Sequence, residues 1–216
     1  MTGAVSLALA ADEPASRRVA DALFPEAEHR YLTRDELRSP AAFAGPLFDL
    51  LGGFAAKSRA SNPHPPDPGA QPGAAVVGLV VPVVWRGAAA SGGSSAPAAL
   101  PPGALLAVAD HANLELRGPL TGRWPAGVPR SFPPLTGIYQ PALVRSRGGP
   151  RVYSSGIVVA GVADAGRLTP FEARAVCERG FIVVSDSLVP AAIAAAYYGL
   201  TLAACGVPRA DDNDEE

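Results

Sequence analysis

Residues Ala74–Trp85 read AAVVGLVVPVVW, an apolar, β-branched run with no polar alternation. A strand of this kind has no face to offer to water, so both of its faces must be covered. Pro82 within it predicts a strand end or a bulge, because proline donates no ladder hydrogen bond. Shorter apolar runs recur at Val5–Leu9, Gly103–Ala109, Val152–Ala160, Phe181–Ser185 and Thr201–Val207. Helix signals separate them. Asp12 before Pro14 reads as an N-cap with an early helical proline, and Val19, Ala20 and Leu23 supply one apolar face. Thr169-Pro170 with Glu172 reads as a capping box, followed by a helix through Arg179 that stops at Gly180. Val189–Tyr198 reads as another helix, ended by Gly199. Strands alternating with capped helices predict an α/β protein with a mostly parallel or mixed central sheet flanked by helices.

Charge and composition narrow the function classes. A net charge of −2 and a pI near 5.9 leave no basic footprint, so no nucleic-acid partner is expected. No run reaches transmembrane length, so no membrane partner is expected either. Cys177 and Cys205 lie in apolar contexts without metal spacing and read as reduced, buried thiols; metal sites and cofactors are both expected to be none. The first residues, MTGAVSLALAADEPAS, mimic a signal peptide but lack a positive n-region and run into a helix pattern. They read as the first strand of an intracellular protein.

Residues 1–209 read as one domain interrupted by a disordered Pro-rich insert at about 56–73, with His64 as a solvated loop residue. Residues 210–216 read as an acidic, disordered tail. A Ser/Ala/Pro connection around Ser91–Ser95 offers hydroxyls for phosphorylation. Lysine occurs once, at Lys57, against 17 arginines, and with 23 Gly and 23 Pro this bias points to high-GC coding.

Asp110-His111-Ala112-Asn113-Leu114 follows a strand pattern and leads into a Pro/Gly loop containing Ser131-Phe132-Pro133 and Tyr139. Asp110 and His111 invite comparison with a catalytic dyad, yet neighbours on a strand point to opposite faces. In chain order come Phe43-Ala44-Gly45-Pro46-Leu47, the strand after Gly103, the DHANL element, Thr169 with Glu172, and Asp186-Ser187-Leu188-Val189-Pro190. This series resembles the purine nucleoside phosphorylase family. The resemblance implies a nucleoside-phosphorylase-like fold and a pocket in which most functional groups have been replaced.

The family's phosphate-binding glycine turn corresponds to Ala10–Pro14, which places Asp12 and Glu13 where a dianion would sit. Its phosphate arginine corresponds to Pro46, and the glutamate that recognises the base to Leu168. The methionine beneath the ribose corresponds to Asp186, while Ser187 is retained and could hold an anion. The resemblance makes Asp110, His111 and Asn113 a loop scaffold. Phe132 corresponds to an aromatic that reaches a neighbouring subunit in trimeric members, so it implies either a homotrimer or a plain loop aromatic.

The expectation is a non-catalytic accessory protein that works through an unknown protein partner, with no catalytic residues. The alternative is an active nucleoside phosphorylase or hydrolase with a pocket rebuilt from Asp12, Glu13, Asp186 and Ser187. Codon bias, Pro-rich insert and acidic tail together resemble an accessory protein of a large DNA virus. A small alphaherpesvirus nuclear phosphoprotein is a candidate family, which would place the chain in the host nucleus; a high-GC bacterial homologue would place it in the cytoplasm.

Overall fold

The apolar run forms β3 (Val76–Trp85), whose first nine residues are all buried. In the computed structural model, residues 5–38, 45–61, 75–86, 100–115, 118–120, 132–145, 151–181 and 183–209 are described. The other strands are β1 (Val5–Ala11), β2 (Glu28–Leu32), β4 (Leu105–Asn113), β5 (Val152–Gly161), β6 (Val183–Ser185) and β7 (Thr201–Arg209). The helices are α1 (Pro14–Leu23), α2 (Arg34–Arg38), α3 (Pro46–Ser61), α4 (Pro170–Glu178) and α5 (Leu188–Tyr197), with a 3-10 turn at Pro141–Leu143.

The seven strands lie in the order β2-β1-β3-β6-β5-β4-β7, and β3 pairs with β7 as well. The sheet therefore closes on itself: β3, β6, β5, β4 and β7 form a ring, and β1 and β2 extend from it as an open wing. Pairing is parallel within β2-β1-β3-β7 and within β4-β5-β6. It is antiparallel at the two seams, β3–β6 and β4–β7. The fold is thus α/β with a mixed sheet.

Pro82 neither ends β3 nor bulges it. The last β1 partner is at Val80 and the first β6 partner at Val84, so the missing N–H falls where β3 changes neighbours. On its other edge the ladder to β7 runs without a break from Val76 to Val84.

Two further readings of the sequence are corrected. Asp12 is not the N-cap of α1: Glu13 holds that position, Pro14 follows at the first helical position, and Asp12 pairs with Arg17. The Pro-rich insert does not begin at 56, because α3 runs from Pro46 to Ser61. Leu47, Phe48, Leu51 and Ala55 give α3 a buried helical stripe. Gly52 sits inside it where a side chain would press on Tyr198, its Cβ falling 3.1 Å from the phenol ring. The rest of the insert, the Ser91–Ser95 connection and the acidic tail lie outside the described residues.

The two faces of the sheet are covered unequally. Leu7, Leu9, Val77, Leu79, Val81 and Leu202 pack with α2, α3 and α5 in the larger core. On the opposite face Ala8, Ala10, Val80, Ala203 and Cys205 pack with Ala20, Leu23 and Phe24, contributed by α1 and the residue after it. Gly78 admits the Phe24 ring to this face: a Cβ there would lie 2.7 Å from two ring carbons. Gly78→Ala is accordingly expected to cost about 1–3 kcal/mol through overpacking, read as a lower urea midpoint with an unchanged slope.

Candidate functional site

Three loops meet beside the seam where β5 and β6 run parallel and β6 meets β3. The first follows β2. Thr33 and Glu36 form a reciprocal cap, Thr33 N donating to Glu36 Oε2 at 2.7 Å and Glu36 N to Thr33 Oγ1 at 3.2 Å. This cap fixes the start of α2 and aims Arg34 and Arg38 across the site. The second loop, 162–169, follows β5 and ends in the predicted box of α4, where Thr169 accepts from Glu172 N and Glu172 returns the bond. The third, Asp186-Ser187, joins β6 to α5.

Arg34 binds the other two loops together. Its Nη2 donates to Asp164 Oδ1 at 2.8 Å, and its Nε donates to Asp186 Oδ2 at 3.0 Å, with a second, closer Nη2 contact to the same Asp186 oxygen. The Ala165 amide also donates to Asp186 Oδ2, at 3.2 Å. Asp186 is almost wholly buried, its side chain 2% exposed, while Asp164 keeps 31% of its side chain in solvent. The hydrogen bond to Asp186 raises the Arg34 pKa despite burial. Burial pushes the Asp164 carboxyl up, but Arg34, the Gly166 amide and Arg38 outweigh it and hold this acid below its ordinary value. Arg38 caps the Ala163 carbonyl and Arg86 the Ala165 carbonyl, so the first half of the second loop is held by guanidinium groups.

Ser187 is fully buried at the N-cap of α5 without a side-chain cap bond. The capping hydroxyl is that of Ser185, which accepts from Leu188 N at 3.3 Å and itself donates to the Pro82 carbonyl. Leu168 packs against the cluster of Val84, Ala160, Val162, Ala165, Val176 and Val184. Among the positions read from the sequence, Asp186 and Leu168 meet at the second loop, with Ser187 adjoining. Asp12 pairs with Arg17 and its amide donates to the Leu32 carbonyl; Pro46 is exposed at the first turn of α3. Arg34, Asp164 and Ser185 were not singled out from the sequence. A Thr-x-x-Glu box at Thr33–Glu36 was the available signal for Arg34.

Asp110 and His111 lie at the far end of β4. Asp110 is exposed and its Oδ1 accepts from the His111 amide at 2.8 Å. His111 is turned inward, its Nδ1 at 2.8 Å from Tyr139 Oη and its ring edge-on to that of Tyr139. Tyr139 is buried and bridges to Leu202 of β7, so the pair ties β4, the 132–145 segment and β7 together. Phe132 is 73% exposed.

The chain matches no protein-family profile and no curated protein in sequence. Solved structures do match. A Schistosoma mansoni purine nucleoside phosphorylase in complex with adenosine superposes at a TM-score of 0.57 and 13% identity, covering 100% of this chain and 82% of that one. A schistosome phosphorylase in complex with hypoxanthine gives 0.56 and 14%, covering 96% and 78%. Isoform 2 from the same organism, with cytosine and ribose-1-phosphate, gives 0.55 and 13%, with the same coverage. In another superposition this chain spans about half of the phosphorylase, 53% of its length. The chain therefore has a purine-nucleoside-phosphorylase-like fold.

Two outcomes follow from the geometry. Arg34→Met leaves Asp186 buried without its cation and is expected to cost about 3–5 kcal/mol. Arg34→Met combined with Asp186→Leu should recover most of that loss in urea denaturation. Burial lowers the His111 pKa from its ordinary 6.5, with Asp110 acting weakly the other way. The unfolded chain therefore takes up its proton first, and stability falls as pH drops below that value until the folded form is protonated too. Urea midpoints at pH 7.5 and 5.5 should differ in the native chain and differ less in His111→Gln.

Proposed function

We propose that this chain is a non-catalytic accessory protein built on a degenerate purine nucleoside phosphorylase fold and acting through protein contacts. The observation that carries the reading is the engagement of Asp186. Its buried carboxylate is spent on Arg34 and the Ala165 amide, and a carboxylate so held is a poor general base. Arg34 is taken up by Asp164 and Asp186, so its guanidinium is not free to hold a phosphate. Leu168 beside it offers no acceptor to a purine N–H, and leaving such a donor unpaired costs on the order of 1–3 kcal/mol. Asp110, His111 and Asn113 serve as scaffold for the loop after β4.

Outward-facing aromatics support contact with other proteins: Phe132 is 73% and Phe171 79% exposed. Phe132 fits a homotrimer contact. The arginine bias supports origin in a high-GC large DNA virus, with a small alphaherpesvirus nuclear phosphoprotein and residence in the host nucleus as the corresponding assignment. Among the described residues no helix is long and apolar enough to cross a membrane.

The test is release of free base from a panel of purine and pyrimidine nucleosides, with and without phosphate, alongside calorimetric titration with the same compounds. Neither turnover nor binding is expected. Turnover that vanishes in Asp186→Ala would make the chain a nucleoside phosphorylase or hydrolase with a rebuilt pocket.

A further inference from the structure

The face of the sheet that carries α1 is the thinly covered one, and the cover leaves a cavity of about 570 Å³ between α1, residues 100–105 and the end of β7. That volume lies in the range of ligand-binding clefts, roughly 300–1,000 Å³. Val19 and Leu23 of α1, Leu105 of β4 and Val207 of β7 make apolar walls, and Arg18 and Arg209 stand among them. Among the described residues no carboxylate lines the cavity.

Several arginines elsewhere in the fold are engaged: Arg17 with Asp12, Arg30 with Glu28, Arg34 with two aspartates, and Arg38 and Arg86 with carbonyls, while Arg59, Arg167 and Arg174 stand exposed on the surface. The side chains of Arg18 and Arg209 have neither hydrogen bond nor ion pair among the described residues. Arg209 is moreover half-buried. Two like charges converging on an apolar wall, one of them partly desolvated, raise the free energy of the empty groove and favour an anionic occupant.

We propose that this groove docks an acidic peptide segment of a partner protein, with carboxylates on Arg18 and Arg209 and an aliphatic or aromatic side chain between them. The lining selects this chemistry. Among the described residues it has no aromatic ring or side-chain amide for a nucleobase, and the cationic or hydrogen-bonding side chains on it are the two arginines. A carboxylate is matched in full by a single guanidinium fork. The inference rests on the reading of the chain as a protein-contact module and names the surface and the partner's chemistry.

The experiment is fluorescence anisotropy of the full chain with short labelled peptides in which Asp or Glu flank one Leu or Phe. Control peptides replace the acids by Lys, or the apolar residue by Ser. Binding of the acidic, apolar peptide alone is expected, weakening with added salt and at least about tenfold in Arg18→Glu. Val19→Ser should weaken it too, and Arg174→Glu on α4 should leave it unchanged. Arg18 is exposed, so its reversal leaves the fold intact, which thermal melts would verify. Equal binding of the Lys control, or full affinity in Arg18→Glu, overturns the proposal. So does binding that emerges only after residues 210–216 are removed, which would give the groove to the chain's own acidic segment. Failure here leaves other surfaces for protein contact, whereas nucleoside turnover would remove the accessory reading and leave the groove's peptide preference standing.

Discussion

Strand β3 is hydrogen-bonded to β1, β6 and β7, and no other strand could be removed with so much consequence. Its apolar sequence is what allows this. A strand enclosed on both faces and both edges can carry no charged side chain, and β3 carries none. From it the wing of β1 and β2 is suspended on one side and the ring is closed on the other. The placement of Pro82 at the change of neighbours shows how closely the sequence is fitted to that topology. The one residue of β3 without an N–H stands where β1 has ended and β6 has not begun.

The chemistry of the loop cluster depends on the same closure. β5 and β6 end side by side, at Gly161 and Ser185, so the loops that follow them are forced together. Two aspartates then approach each other, and a cation becomes necessary. Arg34 supplies it from beyond β2, the outermost strand of the wing. Breaking the cluster therefore disturbs a clamp between wing and ring. Buried ion pairs gain little net energy over apolar packing, so its chief effect is on the relative setting of the three loops.

How much of this was legible in the sequence depended on the range over which each signal acts. Apolar β-branched runs and the Thr169–Glu172 box are local, and they identified β3, β5, β7 and the start of α4. Edge strand β2 was missed because its outer position lets it carry Glu28 and Arg30, which mask the pattern. Helix α3 was obscured by Gly52 and Gly53, residues that usually punctuate chains, although Gly52 here makes room for Tyr198. The Arg34–Asp186 contact joins residues at opposite ends of the chain, and no periodicity or spacing announces a pair of that kind.

The closed ring also has a temporal side. Val76 pairs with Thr201, so the strand at the centre of the sheet waits for the last described strand before its second edge is covered. On the ribosome β3 and β4 emerge well before β7, and each holds an apolar edge open until β7 follows. Such edges are templates for pairing with other nascent chains. A fold so arranged is exposed to aggregation during synthesis even when the finished protein is well protected, and it should lean on chaperone capacity in proportion to how fast it is made.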